Sequence, residues 1–256
     1  MRDDIDLHIH TTHCGCANET MSVPALLERC DELGYRHIAI TDHYNGEQHD
    51  EPQKRIQEDL RDYDSPVAVT WGVECTIADA EAETHTVTEE LVAEFGYDFV
   101  IGGPHGRYEA TEPDEIIETQ HRLMLATVCN PIIDVLVHPW WFSRREFEQG
   151  TMSWFTDMSR IPPWHVEELA AACVENETSV EMNAGGIIHH PHFEQQMLDD
   201  YREYLADLCE RGVTFTLCSD AHDIDRLEWA KDAAGFLVEA GVPDEQIFVP
   251  EPSDLS

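Results

Sequence analysis

The 256-residue chain carries 53 acidic and 15 basic residues, a formal net charge of −38, with only two lysines, Lys54 and Lys231. That balance weighs against nucleic acid as a partner, because such binding depends on Lys and Arg neutralising phosphates. The length suits one large α/β barrel or two small domains, and no apolar run is long enough to span a membrane.

The elements alternate along the chain. Ile5–Leu7 reads as a first strand, residues 11–20 as a polar loop, and Ser22–Leu33 as a helix ended by Gly34. His37–Thr41 is the second strand, and the acidic stretch 46–64 contains a helix around Gln53–Tyr63. Val67–Val73 is the third strand, followed by a helix over Thr88–Phe95 ended by Gly96, and Asp98–Gly102 is the fourth. A helix over Glu112–Ala126 has Thr111 as N-cap and Pro113 early in its first turn. Ile132–Val137 is the fifth strand. The aromatic-rich connection 139–162 is long enough to be a lid or binding loop. Helix Pro163–Asn176, strand Ser179–Met182, a long helix Phe193–Arg211 ended by Gly212, and strand Val213–Leu217 come next. Asp225–Ala240, ended by Gly241, is the last clear helix, and Ile247–Val249 is expected as a short edge strand.

Short apolar runs alternating with helices predict buried parallel strands in one barrel-like domain over residues 1–256. The ends of those runs carry the chemistry. His8-Ile9-His10 closes the first, Asp42-His43 the second, Glu74 the third, His105 follows the fourth, His138 closes the fifth, and Asp220-Ala221-His222 follows the seventh. Only the sixth ends without such a residue, at Asn183. Polar residues at the carboxyl ends of parallel strands converge on one mouth. A lone His-x-His is a weak signal, but six ligand-bearing ends out of seven predict a polynuclear metal centre. His8 and His10 point the same way from a strand, and a closed barrel brings them to Asp220 and His222. Glu74 ends a Val-rich run, where an unpaired buried charge is costly, so a carboxylate bridging two ions is expected. Asp6 is a candidate to orient a ligand. His37, His49, His85, His121 and His165 lie in surface-like contexts and are expected to be solvated.

The dispersed acidic surface predicts a protein suited to high salt, since molar salt shortens the Debye length to roughly 3 Å and removes most self-repulsion. Met1-Arg2-Asp3-Asp4 leads directly into the first strand, so a cytoplasmic protein without a signal peptide is expected. The eight cysteines do not suggest a disulfide framework in a chain of this size. Cys30, Cys173 and Cys209 fall on helix faces as core residues, whereas Cys14-Gly15-Cys16 lies just after the histidine pair.

Asp6-Leu7-His8-Ile9-His10-Thr11, Ile40-Thr41-Asp42-His43, Gly72-Val73-Glu74, Pro104-His105, Val137-His138-Pro139 and Ser219-Asp220-Ala221-His222 together resemble the polymerase and histidinol phosphatase (PHP) family of metal-dependent phosphoesterases. The resemblance implies a distorted (β/α)7 barrel and two or three divalent ions, zinc, manganese or iron. It implies that His8, His10, Glu74 and Asp220 hold one ion, that Glu74 bridges to a second completed by His105 and His138, and that His43 and His222 hold a third. His13-Cys14-Gly15-Cys16-Ala17 is similar to the histidinol-phosphatase-like branch, with Cys16 standing where a ligand His is expected. A thiolate there shifts preference toward zinc or iron.

The implied activity is hydrolysis of a small phosphomonoester, histidinol phosphate-like, with Glu74, Asp220 and His222 as catalytic residues. Gly186 is followed by Ile187-Ile188-His189-His190 rather than by the branch's arginine. Arg107, Arg144, Arg145, Arg160, His189 and His190 therefore become the candidate substrate contacts. The alternatives are a nuclease on the same fold, a non-catalytic metal-binding regulatory protein, and the amidohydrolase class, which often bridges its metals through a carboxylated lysine. Neither lysine here ends a strand.

Overall fold

Seven parallel strands form the wall of the molecule, in the order β1-β2-β4-β6-β7-β8-β9. They are β1 (Ile5–Ile9), β2 (His37–Ile40), β4 (Ala68–Asp79), β6 (Phe99–Pro104), β7 (Val135–Leu136), β8 (Ser179–Asn183) and β9 (Phe215–Cys218). Two short strands, β3 (His43–Tyr44) and β5 (Thr84–His85), pair with the long carboxyl half of β4. The computed structural model describes residues 2–79, 84–105 and 112–254. The sheet nearly closes: beyond the end of β9, the Asp220 amide donates to the His8 carbonyl (3.0 Å) and the His10 amide to that of Ala221 (3.2 Å). The architecture is a (β/α)7-like barrel.

Helices α1 (Val23–Leu33), α2 (Asp50–Asp62), α3 (Glu89–Phe95), α4 (Pro113–Val128), α5 (Arg144–Glu148), α6 (Pro163–Asn176), α7 (Gln195–Glu210) and α8 (Trp229–Glu239) flank it. Their ends follow local chemistry. Prolines sit in the first turns of α1, α4 and α6, where a missing N–H costs nothing. Gly34 and Gly96 close α1 and α3 in the left-handed conformation. One apolar cluster packs α4, α6, α7 and α8 on the β6–β9 side, and a second packs α1 and α2 against β2 and β4.

Several expectations need correction. The segment 139–162 is largely core rather than a lid: Trp140, Phe142, Met152 and Phe155 are fully buried, and the Tyr201 hydroxyl donates to the Pro139 carbonyl at 3.1 Å, while Trp141 and Arg144 line a cleft. Residues 247–249 form no strand; Ile247 makes an isolated bridge to Phe215. Asp225 precedes the last helix in a 3-10 turn (Ile224–Arg226), and α8 starts at Trp229. Thr111, expected as an N-cap, lies outside the described residues.

His37, His121 and His165 are buried rather than solvated. His37 Nε2 lies 2.7 Å from Thr70 Oγ1. The rings of His121 and His165 stack at 3.9 Å, each reaching a glutamate of the opposite helix, Glu168 at 2.9 Å and Glu118 at 3.2 Å.

Candidate metal centre

The strand ends bring the predicted ligands to one mouth, with Glu74 at the middle. Its Oε1 lies 2.8 Å from His105 Nε2 and 3.4 Å from His138 Nε2. Its Oε2 lies 2.8 Å from His43 Nδ1, 3.3 Å from His8 Nε2 and 3.5 Å from His10 Nε2. Burial opposes ionisation of Glu74, but the imidazoles of His43, His105 and His8 outweigh it and hold the carboxyl well below its usual range. Asp220 faces the same point from the other side, its Oδ1 3.4 Å from His10 Nε2 and 3.7 Å from His8 Nε2. Burial again works against its charge, and His8 and His10 again prevail.

Ligand-type atoms of His8, His10 and Asp220 lie within 4.8 Å of one another, as do those of His43, Glu74 and His105, and those of His10, Cys16, His43 and His222. Glu74 Oε2, His10 Nδ1 and His43 Nδ1 are buried without a hydrogen-bond partner. An orphaned carboxylate oxygen facing three imidazole nitrogens fits a bound cation better than it fits a self-satisfied polar core. His8 Nε2 and His10 Nε2 stand 3.0 Å apart, with both rings aimed at one volume.

The backbone bends to make this geometry. Asp220 has φ 54° and His138 φ 32°, in the left-handed region that non-glycine residues seldom occupy. Each such residue costs on the order of 1–3 kcal/mol and persists because its surroundings over-determine it.

Those surroundings contain a residue that strand-end reasoning missed. Glu181, in the interior of β8, is buried and engaged through both carboxylate oxygens. Its Oε1 lies 2.6 Å from His8 Nδ1 and accepts from Cys218 Sγ at 2.8 Å. Its Oε2 accepts from the His138 amide at 2.8 Å and from Asn183 Nδ2 at 3.0 Å. Asn183 Nδ2 also reaches Asp220 Oδ2 at 3.1 Å, while its Oδ1 accepts from the Gly186 amide at 2.6 Å. With a cation bound, a carboxylate on Nδ1 would leave His8 Nε2, on the face toward Glu74 and Asp220, for the ion. The signal was present in the alternation Ser179, Glu181, Asn183, which puts three polar side chains on one face of β8. On the other flank Asp42 accepts from the amide (2.5 Å) and hydroxyl (2.6 Å) of Thr11, with His10 Nδ1 3.8 Å away. Asp6 meets His8 through the backbone, accepting from its amide at 3.5 Å, rather than through the ring. It is buried, accepts from the Ser219 amide at 2.9 Å and joins β1 to the end of β9; burial raises its carboxyl to about 7.

A cleft of about 330 Å3 opens beside the cluster, lined by Asp220 and His222 together with Trp141, Arg144, His189 and His190. Trp229 and Arg226 complete it, and neither was expected from sequence. Arg145 and Arg160 do not line it; Arg160 lies over the Trp154 ring and 3.7 Å from Asp114. Arg107 lies outside the described residues.

Fold and site define a class: an α/β barrel with a metal-type ligand cluster at its strand ends. The family model for the PHP domain matches residues 6–134, half of the chain, and the chain belongs to that family. It is 24% identical over 228 residues to a probable histidinol-phosphatase of Thermotoga maritima, covering 86% of this chain and 84% of that protein. It is 25% identical over 233 residues to the DNA polymerase/3'-5' exonuclease PolX of Bacillus subtilis, covering 87% of this chain but 35% of that protein, so it spans about a third of that relative's length. Among the described residues no helix is long and apolar enough to cross a membrane.

Proposed function

We propose that the protein is a metal-dependent phosphomonoesterase acting on a small phosphorylated substrate, with residues 1–256 working as one domain. The observation that carries this reading is the double use of Glu74. One oxygen faces His105 and His138, the other faces His43, His8 and His10, as a carboxylate shared by two cations would. By this reading His8, His10, Glu74 and Asp220 hold one ion, and Glu74, His105 and His138 a second. His43, His222 and Cys16 hold a third, with the Cys16 thiol favouring zinc or iron over manganese. Ions held in such a site acidify a water and neutralise phosphoryl oxygens.

The chain's own groups do the rest. Glu181 keeps the His8 proton on Nδ1, away from the cluster. Asn183 restrains Asp220 through its second oxygen. His222, which burial holds down to about 4, stays neutral at pH 7 and keeps a lone pair for an ion. Glu74, Asp220 and His222 touch the reacting volume and are the catalytic residues.

The similarity to a protein named as a probable histidinol-phosphatase, over most of both chains, supports a phosphomonoester, with histidinol phosphate the first compound to test. The similarity to a polymerase and exonuclease supports a second reading, an oligonucleotide phosphodiesterase, against which the net charge of −38 weighs. The test is turnover of a panel of phosphomonoesters, including histidinol phosphate, with Mn, Zn or Fe in molar salt. Hydrolysis of a monoester supports the phosphatase. Metal bound without turnover, followed by cleavage of a single-stranded oligonucleotide, would favour the second reading. Turnover of neither would leave a non-catalytic metal-binding protein.

A further inference from the structure

The cleft beside the cluster has a floor that only glycine can supply. A Cβ on Gly185 would lie 2.6 Å from the Ser219 carbonyl oxygen, and one on Gly186 would lie 3.0 Å from Trp141 Cδ1. Trp229 packs on the same Gly185 position, 3.6 Å from where the Cβ would be. The two indoles therefore pack on adjacent glycines of the turn Ala184–Ile188 and help to frame a slot that Asp220 and His222 also line.

Arg144, Arg226 and the imidazoles of His189, His190 and His222 line this slot; His222 belongs to the cluster, and three of the other four are otherwise engaged. Arg144 Nε is committed to Glu148 at 2.7 Å. His189 lies flat on Trp229 at 4.1 Å, with its Nε2 2.8 Å from Asp232. His190 is buried against Phe193, and burial beside His192 holds it down to about 4, so it is neutral at pH 7. Arg226 differs. Its guanidinium carbon lies 5.1 Å from the Trp229 ring centroid, and it makes no ion pair among the described residues, on a chain with 53 acidic side chains. Stacking on an indole orients a guanidinium while leaving its N–H groups free, and that planar fork matches a carboxylate or phosphate. Arg226 packs on Trp229 in the wall of the same cleft that Asp220 and His222 line.

We propose that Arg226 is a specificity residue. With the reacting phosphate beside Asp220 and His222, it receives a second anionic group, carboxylate or phosphate, on the alcohol part of the substrate. The favoured substrates are then small phosphomonoesters with two anionic groups, one beside Asp220 and His222 and one at Arg226. An acidic protein otherwise repels such a molecule, so one unpaired arginine in the cleft decides much of the discrimination. This rests on the phosphomonoesterase reading above.

The experiment compares matched esters on the metal-loaded full chain: 3-phosphoglycerate with glycerol 3-phosphate, phosphoserine with phosphoethanolamine, and fructose 1,6-bisphosphate with fructose 6-phosphate. p-Nitrophenyl phosphate serves as the reference. The wild type should favour the more anionic member of at least one pair. In Arg226→Ala the kcat/KM ratio within that pair should fall roughly 10- to 100-fold, chiefly through KM, the loss expected for one charge-assisted hydrogen bond. Arg226→Lys should recover part of it. No preference in any pair, or a ratio unchanged in Arg226→Ala, overturns the proposal. If the wild type hydrolyses nothing, p-nitrophenyl phosphate included, the phosphomonoesterase reading fails and this proposal falls with it.

Discussion

Glu181→Gln is the sharpest test of how the centre is held. The substitution preserves shape and removes a charge, and the surrounding donors determine its effect. Each carboxylate oxygen faces two donors: Oε1 has His8 Nδ1 and Cys218 Sγ, and Oε2 has the His138 amide and Asn183 Nδ2. A glutamine can satisfy one side only. With its oxygen toward His8, its NH2 opposes the His138 amide and Asn183, leaving two buried donors unmet at roughly 1–3 kcal/mol each, or about 2–6 kcal/mol together. With its oxygen turned the other way, its NH2 donates to His8 Nδ1. The proton then moves to Nε2, on the face turned toward Glu74 and Asp220. Either choice harms the site, the first through stability and the second through the ligand tautomer. The expected result is a metal affinity lower by roughly 10- to 100-fold, the cost typical of an orienting carboxylate. The metal-stripped protein should also unfold at lower urea concentration. Competition with a chelator measures the first and urea titration of stripped protein the second, which separates intrinsic stability from stabilisation by bound ligand. Wild-type metal affinity together with a wild-type urea midpoint would refute the assigned role of Glu181.

Glu74→Ala should lose bound metal and phosphatase activity together, read by elemental analysis and turnover; full activity without the carboxylate would remove the bridge. Cys16→Ser should bind one ion fewer than the wild type and Cys16→His should restore it, so identical stoichiometry in all three would place the third ion elsewhere. His190, held down to about 4 in the fold against 6.5 in the unfolded chain, is neutral when folded while the unfolded chain takes up a proton. Its contribution is therefore fully present above pH 6.5 and is lost as pH falls toward 4, by at most about 3 kcal/mol. His190→Phe should flatten the pH dependence of unfolding free energy in that window relative to wild type, and an unchanged slope would count against it. With a net charge of −38, refolding yield should rise steeply from low salt to molar KCl, and equal yields would argue against a high-salt protein.

The barrel and the convergence of the candidate ligands were legible for one physical reason: a buried strand is apolar until it leaves the sheet, so the residue that ends each run marks the mouth. That logic located His8, His10, His43, Glu74, His105, His138, Asp220 and His222, and it failed where polarity sits inside a strand. Glu181 belongs to a face of alternate polar residues in the interior of β8, where treating the strand as uniformly apolar hides it. The stacked pair His121 and His165 was missed because their burial depends on how α4 and α6 pack, which no single helix's periodicity contains. The aromatic segment divides between core and site in a way its length alone does not show: Trp140, Phe142 and Phe155 are buried in the core, while Trp141 and Arg144 line the cleft, as a binding loop would.

These errors share a cause, and it bears on how the site works. The ligands at the strand ends are set by backbone direction, which local sequence reports well. The groups that hold those ligands still are set by contacts between elements far apart in the chain: His8 with Glu181, Asn183 with Asp220, Asp6 with Ser219. Two candidate ligands, His138 and Asp220, occupy left-handed backbone conformations, and Glu181 and Asn183 bind both, one through the His138 amide and the other through Asp220 Oδ2. The strain at the mouth and the polar face of β8 are thus parts of one arrangement. Removing the polar residues should release the strained ligands before it disturbs the barrel.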